Sequence, residues 1–257
     1  MLTGIDHVLV ACAEPDAAAL ALESQLGLRA SAGGRHEVHG TFNRIVWLGD
    51  SYVELLGVSD ATLAARSWWG RHALAVLAAG HAAGYMGVVL ASDQLEADTQ
   101  ALRAHGSLLG EPEAGSRLRP DGRLVRWRLA HEPTPDPDLG LLFLIEHDRN
   151  AAEWTPAEVA QRRAGIHPLG GPARLERLEL PVAAMKQATM RVHRDIGVAF
   201  RPSLAGEGAR DGAIGRQTLR LYPSFAGRRP TIVIRGGSEP VEVELLGCRW
   251  RREAAAP

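Results

Sequence analysis

One order of elements recurs along this chain: a strand, a helix, then further strands. It appears first at Ile5–Val10, an apolar strand followed by the helix start Glu14-Pro15-Asp16. Proline suits the first helical turn, and acids suit the positive end of the helix dipole. The helix runs through Leu20, Leu22 and Leu26 and stops at Gly27, a natural residue beyond a helix end. A glycine- and histidine-rich loop from Gly33 to Gly40 leads into strands at Asn43–Leu48 and Ser51–Leu56. The order repeats from Gly84–Ala91, through a helix carrying Leu95 and Leu102, to strands at Leu124–Leu129 and Leu141–Glu146. It begins a third time at Leu175–Leu180, with a helix carrying Met185, Thr189, Val192 and Ile196 at helical spacing. Strands follow near 216–222, 231–235 and Val241–Gly247. The pentapeptide Val-Glu-Leu-Leu-Gly stands at 53–57 and again at 243–247.

This pattern predicts an α+β chain of tandem βαβββ units. Two units fall at 1–60 and 84–148 within one domain over 1–150, with an inserted helix at 62–83 carrying Trp68 and Trp69. Residues 151–171 read as a linker helix and turn; Thr155-Pro156-Ala157-Glu158 is a capping box. A third, partial and divergent unit covers 172–250. Aligned opening strands place His7, Gly87 and Arg177 together, and aligned closing strands place Glu54, Glu146 and Glu244 together. Side chains alternate across a strand, so Tyr52, Glu54 and Leu56 share a face.

Composition narrows the function. The 257 residues are 46% hydrophobic and 23% charged with net charge −1, so no strong field steers the chain to nucleic acid or an acidic membrane face. Basic character is almost wholly arginine, with Lys186 the single lysine. Arg117-Leu118-Arg119 and Arg126-Trp127-Arg128 read as solvated strand faces or as an anion site. Cys12 and Cys248 flank apolar strand sequence and read as buried, inert thiols. No apolar run approaches the roughly 18 residues that cross a bilayer. A cytoplasmic location is expected. There is no Walker loop and no GxGxxG after a strand, hence no nucleotide cofactor; a GxSxG elbow is also absent.

The run IDHVLVACAEPDAAALALESQLG, then GGRH, GTFN and LGDSYVELLGV, resembles the N-terminal unit of glyoxalase-like domains of the vicinal oxygen chelate superfamily. LLFLIEHDR and WTPAEVAQRRAGIHPLGGPARLERLELPV resemble the later part of that group. The resemblance implies paired βαβββ units curled into an open, cup-like β-barrel. It implies a divalent metal in the cup, held by residues of the first and last strands of each unit. Carried over by position, His7, Glu54 and Glu146 are the expected metal ligands, and Gly87 leaves the fourth position without a side chain. A mixed nitrogen and oxygen set suits Mn, Fe, Ni or Zn. Glu146 and His36 are the expected catalytic acid or base groups. Asn43, Tyr52 and Trp68 are the expected substrate contacts. The activity implied is that of a lyase, isomerase or ring-cleaving dioxygenase acting on a small oxygenated organic molecule. The alternative is a non-catalytic binding or sequestration protein using the same cup, which Gly87 favours. A homodimer completed through the third unit is a further expectation.

Each residue also has a plainer reading. His7 reads as a satisfied histidine at a strand edge, Glu54 as the polar face of a half-exposed strand, and Glu146 as a strand end emerging beside His147. His36 reads equally as a surface loop histidine, and Trp68 as packing of the inserted helix. His167 sits at a turn to which the sequence gives no role.

Overall fold

The computed structural model describes residues 2–78, 81–150, 152–164, 167–224 and 228–255. The first unit comprises β1 (Leu2–Cys12), α1 (Pro15–Leu26), β2 (Ser31–His36), β3 (Thr41–Leu48) and β4 (Ser51–Val58). Two helices, α2 (Ala61–Ala64) and α3 (Trp68–Ala78), lead to the second unit. That unit comprises β5 (Ala83–Ser92), α4 (Leu95–Ala104), β6 (Glu113–Leu118), β7 (Leu124–His131) and β8 (Leu141–His147). The start of α1 is built as the sequence predicts, with Pro15 in the first turn, and Gly27 closes the helix in the left-handed conformation at φ 66°.

The two units form one closed barrel in the order β1-β4-β3-β2-β6-β7-β8-β5. Within each unit the first strand runs parallel to the last, β1 to β4 and β5 to β8. Between units β1 and β5 are antiparallel, pairing His7 with Val89 and Leu9 with Gly87. That register makes His7 equivalent to Gly87 and Leu9 to Val89. The opposite seam, between β2 and β6, closes through the single pair Arg35–Leu118. The expected open cup is therefore a closed barrel.

A short turn at Ala152–Trp154 and α5 (Pro156–Ala164) follow the barrel. Then come β9 (Arg174–Val182), α6 (Met185–Ile196), β10 (Phe200–Pro202), β11 (Arg210–Ile214) and β12 (Gln217–Pro223), a whole third βαβββ unit. The last strands are β13 (Thr231–Arg235), β14 (Val241–Leu245) and β15 (Cys248–Glu253). They form a seven-stranded sheet with the third unit, in the order β10-β11-β12-β9-β13-β15-β14. β9 is parallel to β12 and antiparallel to β13, and β13 is parallel to β15. The same connections govern both sheets. The region read as one partial unit thus holds a complete unit and a reduced fourth one without a helix.

The shared pentapeptide does not mark equivalent strands. Val53–Gly57 lies inside continuous β4, whereas Leu246 and Gly247 turn back into β15 with φ of 55° and 70°. Two consecutive residues with positive φ make the tight hairpin turn suited to twisted antiparallel strands. Glu244 is exposed on β14 opposite Arg249 and has no counterpart in Glu54.

Strand alternation divides the hydrophobic residues into two populations. The outer face of the barrel packs with α1, α6 and the second sheet in one continuous core that includes Val8, Val10, Leu55, Leu178, Leu180 and Trp250. A separate cluster lines the barrel interior, where Leu9, Leu56, Met86, Trp127, Phe143 and Ile145 meet Trp69 of α3. Cys12 and Cys248 are buried free thiols, each pushed up to about 12 chiefly by burial. Among the described residues no helix is long and apolar enough to cross a membrane.

Candidate active site in the barrel

The barrel interior holds a cavity of about 50 Å³. Its walls are apolar and aromatic over most of their extent, with His7, His36, Asn43, Glu54, Arg117 and His147 as the polar groups on the strands. Glu153, from the turn after β8, reaches in from the mouth.

Asp6 and His7 form the centre of the polar set. β1 carries a bulge here: Ile5 pairs with Leu90 and His7 with Val89, so Asp6 is the extra residue. A bulge re-aims a side chain, and Asp6 turns to the same side as its neighbour. Asp6 Oδ1 lies 2.7 Å from His7 Nδ1, and His147 Nε2 lies 3.1 Å from both Asp6 oxygens. Burial pushes the Asp6 carboxyl up, but the charge and hydrogen bonds of His147 and His7 outweigh it and hold the group well below the usual range. An ionised Asp6 accepts the Nδ1 proton of His7. That fixes the tautomer and leaves His7 Nε2 facing Glu54 Oε2 at 3.4 Å. Tyr52 stacks on the imidazole, ring centres 4.4 Å apart and planes 13° from parallel.

The bulge is held from the second sheet. Gln217, the first residue of β12, accepts from the Ile5 N–H at 2.7 Å and donates to the Ile5 carbonyl at 3.2 Å and to Ser51 Oγ at 2.7 Å. Ser51 also donates to the Ile5 carbonyl, at 2.7 Å. One amide thus satisfies the backbone groups that the bulge takes out of the ladder.

Glu54 is fixed from the other side. Asn43 Nδ2 donates to Glu54 Oε1 at 2.7 Å, while Asn43 Oδ1 accepts from the Gly34 N–H at 2.8 Å. Of the segment read as a glycine-rich loop, Glu37–His39 form a 3-10 turn, and residues 33–36 belong to the strand β2, with its register shifted between Ala32 and Arg35. Its glycines permit close approach: a Cβ on Gly33 would lie 1.9 Å from Asn43 Oδ1.

His36 lies in the cup, and its basicity differs from the expectation of an acid or base near neutral pH. Burial first, then the charge of Arg117, pushes it down to about 3. Trp69 Nε1 donates to Thr41 Oγ1 at 3.4 Å, and Thr41 Oγ1 is 3.0 Å from His36 Nδ1. If the hydroxyl gives its hydrogen to Nδ1, His36 carries its proton on Nε2 as a neutral hydrogen-bond donor.

Glu146 is the main departure. The sequence alignment sets it beside Glu54, but the parallel ladders pair Leu9 with Glu54 and Val89 with Phe143. Phe143 is therefore the true counterpart of Glu54. The slip of three residues is odd, and an odd slip exchanges the faces of a strand. Glu146 points outward, opposite Arg128, into a surface groove with Arg126 and Asp148. His147 takes the inward place that the sequence assigned to Glu146. Trp68 is likewise displaced by its neighbour. Trp69 lines the cup, while Trp68 stacks on His131 with ring centres 3.9 Å apart and donates to Glu113 at 3.2 Å. His167, without a role in sequence, is a staple: Nδ1 accepts from the Arg29 N–H at 3.0 Å and Nε2 meets the Trp47 carbonyl at 2.6 Å.

The donor set does not match the metal site that the resemblance implies. Two donors, His7 Nε2 and Glu54 Oε2, face each other in the first unit, whereas the second unit offers Gly87 and Phe143 at the matching positions. A Cβ at position 87 would lie 2.4 Å from the Leu141 carbonyl oxygen, so backbone packing itself forbids a side chain there. Among the described residues no group of three or more His, Cys, Asp or Glu is arranged to hold a metal ion.

Residues 5–196 match the family model described as a glyoxalase-like domain. This chain is a glyoxalase-like protein. The match spans both barrel units and extends through α6. The glyoxalase-like chain shares its fold with a hypothetical protein from Staphylococcus aureus at 16% identity and TM-score 0.79, covering 99% of this chain and 100% of the other. It also resembles a mutant of 4-hydroxymandelate synthase from Streptomyces coelicolor at 12% identity and TM-score 0.58, covering 93% of this chain and 72% of that one. A methylmalonyl-CoA epimerase from Streptomyces coelicolor matches at 21% identity and TM-score 0.42, over 56% of this chain and 97% of the other. No curated protein matches it.

Proposed function

We propose that this glyoxalase-like chain is an isomerase or lyase that moves a proton on a small oxygenated organic molecule held in the barrel. The observation that carries this reading is the Asp6–His7–Glu54 arrangement. Asp6 occupies His7 Nδ1, so Nε2 is the nitrogen free to exchange a proton, with the Glu54 carboxylate 3.4 Å away. In the forward step His7 Nε2 takes a proton from the carbon next to a carbonyl. The C–H electron pair moves into the carbonyl, giving an enolate whose oxygen accepts from the neutral Nε2–H of His36. Glu54 stabilises the imidazolium formed, and the proton returns to carbon to complete an isomerisation. Loss of a β-substituent instead completes an elimination. Apolar walls exclude water and strengthen each of these electrostatic contacts.

A ring-cleaving dioxygenase or another metal-assisted reaction needs more donors than His7 and Glu54, so no step here runs through a metal. The second reading is binding without turnover, favoured by Gly87 and Phe143, neither of which carries a ligand donor.

The test is hydrogen exchange in deuterated water. A set of small α-hydroxy and α-oxo carbonyl compounds is incubated with tag-free protein, with and without added Mn²⁺ or Zn²⁺, and read by NMR. Wash-in of deuterium next to a carbonyl is expected without added metal. It is expected to fall at least about 100-fold in His7→Gln, the order of a general base's contribution. Tight binding of a compound with no exchange under any of these conditions would leave the binding reading in its place.

A further inference from the structure

We propose that the barrel takes a carboxylate-bearing ligand with an apolar body, its carboxylate on Arg117, and that Glu153 holds that place until the ligand displaces it. The inference rests on the barrel being a ligand site and adds the class of ligand.

Arg117, on β6, is 5% exposed and lines the barrel. A buried guanidinium requires partners, and its planar fork matches the two oxygens of a carboxylate. Here only half of the fork is used. Arg117 Nη2 donates to Glu153 Oε1, while Nη1 is buried with no acceptor. Among the described residues no carboxylate on the barrel strands pairs with it, and Glu54 is engaged by Asn43 and His7. The acid that does reach it belongs to a separate segment, the strap formed by the turn and α5 after β8.

On its exposed side the strap meets the barrel through Arg163, which donates to Asp50 at 3.1 and 2.7 Å, and through Glu158, 3.6 and 3.4 Å from Arg119 and Arg123. Arg162 of α5 donates through Nη1 to the Glu153 carbonyl and lies over Trp47 and Trp154, 4.1 and 4.7 Å from the ring centres. Its Nε and Nη2, and the Trp154 indole N–H, are buried without partners. Closure therefore leaves three donors unpaired, which opening would return to water. The Glu153 carboxylate is the strap's buried polar hold on the barrel, and it sits where an incoming carboxylate would sit. Beyond Arg117 the walls are Trp127, Leu129, Phe143 and Ile145, which suit an apolar body.

Benzoate is the probe, with isosteric, uncharged benzamide and phenylphosphate as comparisons, measured by isothermal titration on the full chain. Benzoate is expected to bind at least about tenfold more tightly than benzamide. Glu153→Gln keeps the shape and removes the competing charge, so it is expected to tighten benzoate about tenfold. Arg117→Gln combined with Glu153→Gln removes both charges together and is expected to abolish the preference for benzoate. Amide exchange over 152–164 is expected to quicken when benzoate binds the wild type. Equal binding of benzoate and benzamide, no binding at all, or Glu153→Gln leaving benzoate unchanged or weaker would overturn the proposal. So would unaltered amide exchange, or a preference for benzoate that survives in the double variant. Tighter phenylphosphate binding would assign the site to phosphate esters and overturn it too. These readouts involve no turnover. Benzoate binding that behaves as expected, without deuterium wash-in, would sink the proton-transfer reading alone.

Discussion

In the barrel, His7 pairs with Tyr52 and Val89, and the next inward position, Leu9, pairs with Glu54. In the second sheet, Arg177 pairs with Thr218 and Val233, and Glu179 pairs with Arg220. The positions correspond one to one, so Arg177 stands for His7 and Arg220 for Glu54. The remaining closing-strand position, Phe143 in the barrel, is Arg251 in the second sheet. Three arginines surround the buried Glu179 there, at 2.7, 3.7 and 3.6 Å for Arg177, Arg220 and Arg251. One arrangement of strands therefore carries two interiors. The closed one keeps few charges and shields them; the open one carries many charges and shares them with solvent. Closure makes the difference. Eight strands exclude water around His7, whereas seven strands leave the arginines partly wet.

Exchanging the two interiors should break the molecule on one side only. Phe143→Arg would bury an unpaired charge among the barrel's apolar residues and should cost about 3–5 kcal/mol or abolish folding, read by chemical denaturation. The reverse change, Arg251→Phe, removes partly exposed ion pairs and should cost about 1 kcal/mol or less. Similar losses for both would mean that closure does not separate the two environments.

A smaller effect tests how the sheets are joined. Gln217→Leu leaves the Ile5 amide and carbonyl without their bridge and should cost about 1–3 kcal/mol. It should also slow the deuterium wash-in ascribed to His7, because the Asp6 bulge loses its support. The effect should appear in the rate at saturation more than in the concentration dependence. A stability loss with unchanged exchange would confine Gln217 to a structural role.

The last two effects are pH dependences of opposite sign. His36, in the barrel, is pushed down to about 3 from an unfolded value near 6.5. Its folded state disfavours the proton, so its contribution is complete above pH 6.5 and is lost as the pH falls towards 3. Glu132 lies where the end of β7 meets α6. There burial and the neighbouring Asp195 carboxylate raise it to about 7 against the pull of Arg191. Its folded state favours the proton, so its contribution is complete below about pH 4.5 and is lost as the pH rises through 7. Glu132→Gln should flatten the decline in stability between pH 5 and 8, and His36→Gln should flatten the decline below pH 6.5. Unfolding free energies across that range check both.

Most of the barrel's element order was legible because its signals are local: proline and acid at the start of α1, glycine at its end, and apolar strands between turns. β2, whose glycines read as a loop, was not legible, nor were β6, β10, β11 and β15. β6, β10 and β11 are short or polar, and β15 alternates arginine with buried Cys248 and Trp250, a pattern easily read as a charged tail. His7, Glu54, Asn43 and Tyr52 do converge, because one face of each strand turns inward. Glu146 and Trp68 each missed by one residue, since strand parity and helix phase depend on pairing that sequence alone does not display. Asp6 was missed altogether because only a bulge turns it beside His7. Arg117 was noticed as part of an arginine pair, but its burial depends on which face of β6 closes the barrel.

The central claim is that proton chemistry belongs to His7 and not to Glu146. The most direct measurement is deuterium wash-in compared across wild type, His7→Gln and Glu146→Gln under one set of conditions. The account predicts loss in His7→Gln and a wild-type rate in Glu146→Gln, whose side chain lies outside the barrel. Exchange that survives His7→Gln and disappears in Glu146→Gln would contradict it.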